Sequence, residues 1–157
     1  MINYLTFAGK STNEFGIWIS GEGTYGAPER NVQTQEVAGR NGSLFFDLGN
    51  YKNITIKYPA AIQENMPARF RDFINFAGSQ IGYQRLEDSY HPEEFRLAMY
   101  RNGLDVSPSA RNLAGSFNIQ FDCKPQRFLK SGEQATEFTQ DGTINNPTLF
   151  ESKPLLE

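Results

Sequence analysis

The sequence predicts a mainly β domain with one α-helix. Three observations predict it. Thirteen Phe and seven Tyr among 157 residues enrich the chain in side chains that favour strands and bury large areas. Apolar and polar residues alternate through several stretches, most cleanly at 54–62 and 117–123. One segment, residues 65–78, instead carries its apolar residues at helical period.

In chain order, "INYLTFA" (2–8) reads as a strand broken by Gly9 and the polar residues that follow. "FGIWIS" reads as a short second strand, with Phe15, Ile17 and Ile19 on one face and Trp18 on the other. "GEGTYGAPER" is loop, on its glycines and proline. From Asn31 a strand pattern returns. Val32, Thr34, Glu36 and Ala38 share one face; Gln33, Gln35 and Val37 share the other, and neither face is strongly apolar. The tip Gly39-Arg40-Asn41-Gly42 follows, then Leu44-Phe45-Phe46 in a row. Asn-Gly predicts a tight type I′ hairpin turn, because both central residues of that turn need φ > 0. "LGNY" (48–51) predicts a further turn, and "NITIKYPAAI" a half-buried strand with Ile54, Ile56, Tyr58, Ala60 and Ile62 inward.

The helix is expected on Met66, Phe70, Phe73, Ile74 and Ala77, spaced i, i+4, i+7, i+8 and i+11. Asn65 suits its N-cap, Pro67 its first turn and Gly78 its C′ position, with Arg69, Arg71 and Asp72 toward water. "IGYQRLE", "EEFRLAMYRN" and "NLAGSFNIQFDCK" are the later strands, the last ended by Pro125. Residues 131–154 are polar and turn-rich, with weak strands only.

The length fits one domain with its own core. Net charge is −3 with both signs interspersed, which gives no nucleic-acid grip. Cys123, the one cysteine, cannot build an intrachain disulfide framework and reads as a buried small hydrophobe. The N-terminus lacks a basic segment followed by an apolar run, so no signal peptide is expected. No apolar run approaches the roughly 18 residues of a membrane span, so a soluble protein made in the cytoplasm is expected.

Catalytic signals are thin. The Gly39–Gly42 tip lacks the Lys-Ser/Thr of a phosphate loop, and no helix pattern follows it. His91, the one histidine, sits in the polar stretch "DSYHPEEF" and reads as a solvated loop residue; one His and one Cys fall short of a zinc site. Glu87, Asp88, Glu93 and Glu94 cluster as glycosidase carboxylates do, but around a turn, which reads as a solvated loop. A calcium site at Asp88/Glu93 has no ligand-loop spacing behind it. Trp18 and the tyrosines suit a sugar platform or, by their strand positions, core packing. No metal or cofactor is expected. Leu44, Phe45 and Phe46 differ from these: three consecutive apolar residues put apolar side chains on both faces of a hairpin, which asks for cover on both sides, from the domain's interior or from another chain.

Four stretches together resemble the N-terminal domain of the siphophage distal tail protein (Dit) family. "FAGKSTNEFGIWIS" is similar to its opening strand, glycine turn and FG-x-apolar strand. "EVAGRNGSLFFDLGNYKNITI" is similar to its V-x-G-R-[DN]-G-x-L block and the glycine-tyrosine turn and strand that follow. "FNIQFDCKPQRF" is similar to the strand ending in C-K-P-x-x-[FY], and "NNPTLFESKPLL" to the segment leading into the second half of longer members. The family pattern has glycine after Asn-Pro, where this chain has Thr148.

The resemblance implies a β-sandwich or split-barrel-like domain with a protruding β-hairpin arm. It implies residues 1–131 as the ring domain and 132–157 as a strand and linker into an absent or truncated second domain. It implies a non-catalytic component of the tail tip or baseplate of a phage or prophage: a homo-hexameric ring in the virion, one face on the tail tube protein and the other on the hub with its tail-associated lysin or fibre protein. DNA would only pass through the lumen, and no membrane is involved. The arm is expected at Asn31–Leu48, with Val37, Arg40, Asn41, Gly42, Leu44, Phe45 and Phe46 as candidate subunit contacts. Two rival readings are a carbohydrate-binding β-sandwich that stacks sugars of host cell-wall glycans on Trp18 or tyrosines, and a small hydrolase using Glu87, Asp88, Glu93 or Glu94.

Overall fold

A computed structural model describes residues 3–20, 25–137, 139, 141–148 and 151. Strands β1 (Leu5–Phe7), β2 (Lys10–Ser11), β3 (Ile17–Ile19), β6 (Ile54–Ile62), β7 (Gln84–Asp88), β8 (Glu94–Met99) and β10 (Ala114–Cys123) form one antiparallel sheet in the order β2-β1-β7-β8-β10-β6-β3. Two short strands extend it: β9 (Ser107–Ser109) on β10 and β11 (Phe128–Leu129) on β8. Strands β4 (Arg30–Glu36) and β5 (Ser43–Tyr51) form a separate two-stranded sheet. The large sheet curls into a half-barrel. Its edge strand β3 reaches back to the chain before β1, where the Ile19 amide donates to the Asn3 carbonyl at 3.1 Å. The architecture agrees with a β-sandwich or split-barrel-like domain.

The longest pairing is β6 with β10, in register from Gly115↔Ile62 to Cys123↔Ile54. Each strand alternates, so one face of the pair is a continuous apolar wall: Ile56, Tyr58, Ala60 and Ile62 opposite Phe121, Ile119, Phe117 and Gly115. The helix α1 (Met66–Ser79) packs against this wall with Met66, Phe73 and Ala77 buried. Phe70 meets Phe117 edge-on at 5.0 Å, and Phe73 meets Phe15 at 5.6 Å. Arg71 and Asp72 face water as expected, whereas Arg69 is half-buried and pairs with Glu64 at 2.8 Å.

Several local expectations are corrected. Phe15 ends a 3-10 turn, Thr12–Phe15, rather than beginning β3, because Ser11 and Glu14 form a reciprocal capping box there. Asn65 precedes the helix in a left-handed conformation (φ 49°) and makes no side-chain cap. The first helical amide, Met66, donates instead to the Leu113 carbonyl at 3.1 Å. Gly78 lies inside the helix; Ser79 Oγ and Gln80 Nε2 donate to the Phe76 carbonyl at 2.7 and 3.3 Å, so no glycine cap is needed. Residues 48–51 continue β5, with Gly49 (φ 76°) at an irregularity rather than a reversal. No strand follows Leu129 among the described residues. Parts of the strand and linker expected at 132–157 lie outside them, as do parts of the N-terminal strand and of the loop after Ser20. No helix is long and apolar enough to cross a membrane.

Two core positions yield direct tests. Gly115 lies on β10 opposite Pro108 of its antiparallel neighbour β9; a Cβ there would lie 2.7 Å from Val106 Cγ2 and 3.2 Å from the Ser107 carbonyl. Gly115→Ala is expected to cost about 1–3 kcal/mol by overpacking, read as a shift of the urea midpoint at constant slope. Cys123 is fully buried, and burial pushes its thiol up to about 12. A maleimide or disulfide reagent is therefore expected to leave the folded protein unmodified and to label Cys123 only after unfolding.

Candidate functional site

The hairpin β4–β5 is hydrogen-bonded to itself and not to the large sheet. Its register pairs Gln33 with Phe46, Thr34 with Phe45, Gln35 with Leu44 and Glu36 with Ser43. Paired residues share a face, so Leu44 and Phe46 lie on one side with Gln33 and Gln35, and Phe45 lies on the other with Val32 and Thr34. Phe45 is 62% exposed and Phe46 52%, so the hairpin does not cross the domain's interior. Val37, at the tip, and Leu48 are exposed as well. Leu48 continues the i, i+2 alternation of Leu44 and Phe46 and was legible from that spacing.

The tip differs from the expected two-residue turn. Six residues, 37–42, join the strands. The Arg40 amide closes a turn onto the Val37 carbonyl at 3.2 Å, with Gly39 at φ 77° in its third position, and Gly42 at φ 81° re-enters β5. Asn41 has no positive φ, so the glycines rather than Asn-Gly make the reversal. Arg40, Asn41 and Gly42 are exposed there.

The root of the hairpin is tied down. Arg30 pairs with Asp47 and lies over the Tyr51 ring, 5.3 Å from its centroid. The Gly49 amide donates to Asp47 at 2.9 Å, and this bond, with the Arg30 charge, holds the Asp47 carboxyl below the usual range. A fixed root, a glycine-built tip and a two-sided apolar shaft make a surface suited to docking rather than chemistry.

The carboxylate cluster is not a solvated loop. Glu87 points outward and pairs with Arg85 and Lys130, both at 2.5 Å. Asp88, its neighbour on β7, points inward and accepts from Tyr58 Oη (2.7 Å), the Tyr90 amide (3.0 Å), the His91 amide (2.9 Å) and His91 Nδ1 (3.0 Å). Glu94 pairs with Arg127 at 3.0 Å, and Glu93 is exposed. Adjacent strand residues face opposite sides, so Glu87 and Asp88 do not meet in one cleft as a catalytic pair would. His91 is half-buried against Asp88 rather than free in solvent, because Asp88 gathers the turn's amides around it. Among the described residues no group of three or more His, Cys, Asp or Glu could hold a metal ion. Trp18 is half-buried opposite Ala61, with no exposed aromatic partner on β3.

Sequence reasoning missed Arg96. It lies on β8 opposite Leu86 of β7, only 7% exposed, and its Nη1 has no hydrogen-bond partner among the described residues. Burial and the nearby Arg127 charge both push the Arg96 guanidinium below its usual range. The His91 Nε2 is likewise buried without a partner, and the two side chains line one cavity of about 10 Å³.

Among solved structures the chain is similar to the crystal structure of the SPP1 Dit (gp 19.1) protein, described as a paradigm of the hub adsorption apparatus in phages infecting Gram-positive bacteria. The TM-score is 0.65 at 11% identity, over 82% of this chain and 53% of that one, so the chain spans about half the length of SPP1 Dit. The likeness is one of fold. No protein-family model and no curated protein matches the chain.

Proposed function

We propose that this protein is the ring-forming part of a phage distal tail protein, a non-catalytic structural component of the tail tip. In this reading six copies form the ring, and the β4–β5 arm of each docks on its neighbour through Val37, Leu44, Phe45 and Phe46, with Arg40, Asn41 and Gly42 at the leading edge. One face of the ring meets the tail tube protein and the other the hub that carries a lysin or fibre protein. DNA passes through the lumen, and the mature location is the virion. Residues 1–131 form the ring domain, and 132–157 lead toward a second domain.

The observation that carries this reading is the arm. It stands off the half-barrel with phenylalanines exposed on both faces, an arrangement that favours burial between copies. The fold likeness to SPP1 Dit and the four sequence stretches that resemble its family support the same assignment. Light scattering across a concentration series tests it. A six-fold mass, or a monomer–hexamer equilibrium, is the expected result. A strict monomer at high concentration counts against self-assembly of this chain, and a glycan titration then takes precedence.

A further inference from the structure

We propose that the groove on the outer face of the β6–β10 ladder is the seat for the arm tip of a second copy of this chain, with Arg40 of the arm paired to Asp105 of the groove. This rests on the ring reading above and names the receiving surface. Small outward side chains set the floor: Ser116 is in register with Ala61, and Asn118 with Pro59. Short side chains keep that floor low, and the chain entering β9 raises one rim with Asp105 and Ser107. The groove measures about 360 Å³. One water takes about 30 Å³, so the groove has room for a side chain and the turn that carries it. No residue of the chain's own arm lines it among the described residues.

Charge complementarity selects the occupant. The Asp105 carboxylate is exposed and has no ion-pair or hydrogen-bond partner among the described residues. The Arg40 guanidinium, exposed at the arm's tip, has none either, whereas Arg30, Arg69, Arg85, Arg101 and Arg127 are each held by a carboxylate. A guanidinium fork matches a carboxylate with two parallel hydrogen bonds, and closing a groove over the pair removes the water that weakens exposed ion pairs. Gly39 and Gly42 flank Arg40 and Asn41 without side chains, which keeps the tip narrow. The backbone groups of such a bare turn meet hydroxyl and amide partners in Ser107, Ser116 and Asn118. Polarity along the chain then fixes the arrangement. Strand β5 ends at Tyr51 and β6 begins at Ile54, so the arm's root is at the start of β6, whereas the groove lies along its second half. Donor and receiver are different surfaces, and one copy's tip in the next copy's groove is a head-to-tail contact, the kind that closes into a ring.

Charge reversal, read by light scattering across a concentration series, tests this. Arg40→Asp and Asp105→Arg, each alone, put like charges together and are expected to raise the concentration of half-assembly at least about tenfold. The two reversals combined restore the pair and are expected to return that concentration to within about threefold of wild type. Both residues are exposed, so melting temperatures of dilute samples should not move. A wild type that assembles while the single reversals have no effect overturns the groove and leaves the ring reading in place. Reversals that weaken assembly without rescuing each other do the same. A wild type that is monomeric at every concentration overturns the ring reading, and the groove with it. If a reversal does not fold, Asn41→Cys/Asn118→Cys treated with a short bismaleimide decides; Cys123 is buried and stays out of the reaction. A ladder of covalent oligomers on a denaturing gel supports the groove, and monomer alone from an assembled sample overturns it.

Discussion

Phe121→Ala is expected to destabilise the protein by about 3–5 kcal/mol, at the upper end for a single core truncation. Phe121 is fully buried toward the Cys123 end of the β6–β10 wall. Its ring meets Phe7 at 4.8 Å and is met edge-on by Tyr58 at 6.3 Å and Tyr100 at 6.2 Å. Those neighbours stand on separate strands or, for Tyr100, at the end of one, each held by its own ladder, so they cannot collapse together into the space left behind. Lost transfer energy and an unfilled cavity therefore add. The melting temperature should fall on the order of 10 °C, with the urea slope unchanged. Phe128→Ala is the control. Phe128 only stacks on Phe95 at the surface, 36% exposed, and its loss should cost about 1 kcal/mol. Equal effects for the two variants would mean that the core is not where the β6–β10 pairing puts it.

How much of this was legible in the sequence depends on whether the cause was local. The alternation of β6 and β10 and the stripe of α1 follow from side-chain periodicity, and they stand where the pattern put them. The strand β8 shows the opposite case. Its sequence, "EFRLAM", alternates Phe95, Leu97 and Met99 as though these faced the core, yet the structure buries Arg96 and Ala98 and leaves the larger residues half-exposed. The register with β7 decides this, aligning Arg96 with buried Leu86 and Ala98 with Gln84. Outward Phe95 is then covered from elsewhere, by Phe128 and by Arg85, whose guanidinium lies 3.9 Å from the ring centroid. Neither partner is a sequence neighbour, so no window of sequence reveals the swap. The same holds for His91 and Asp88, whose link to Tyr58 spans thirty residues. Leu44, Phe45 and Phe46 were legible for a different reason: three consecutive apolar residues cannot satisfy a one-sided strand wherever it sits.

Leu44→Asp/Phe46→Asp is expected to separate assembly from folding. Both residues lie on one face of the arm, with Phe46 52% exposed. Phe46 is exposed and Leu44 only half-buried on a hairpin outside the core, so the melting temperature of a dilute sample should stay within about 4 °C of wild type. Assembly is another matter. Burying an apolar side chain of this size contributes about 1.5–3 kcal/mol, and two carboxylates carried into an apolar contact add a desolvation penalty. Even about 3 kcal/mol weakens each contact more than a hundred-fold, enough to turn a ring into monomers at micromolar concentration. Phe45→Asp probes the opposite face. If the arm is gripped on both sides, it should lower the mass as the double variant does; if only one face docks, it should leave the mass unchanged. A double variant that retains the full oligomeric mass would remove the arm from the interface and move the search to the outer face of the half-barrel. A double variant that is monomeric and unfolded would instead show that the arm holds the domain together. That outcome conflicts with its separation from the large sheet, since no ladder bond between the two would be lost.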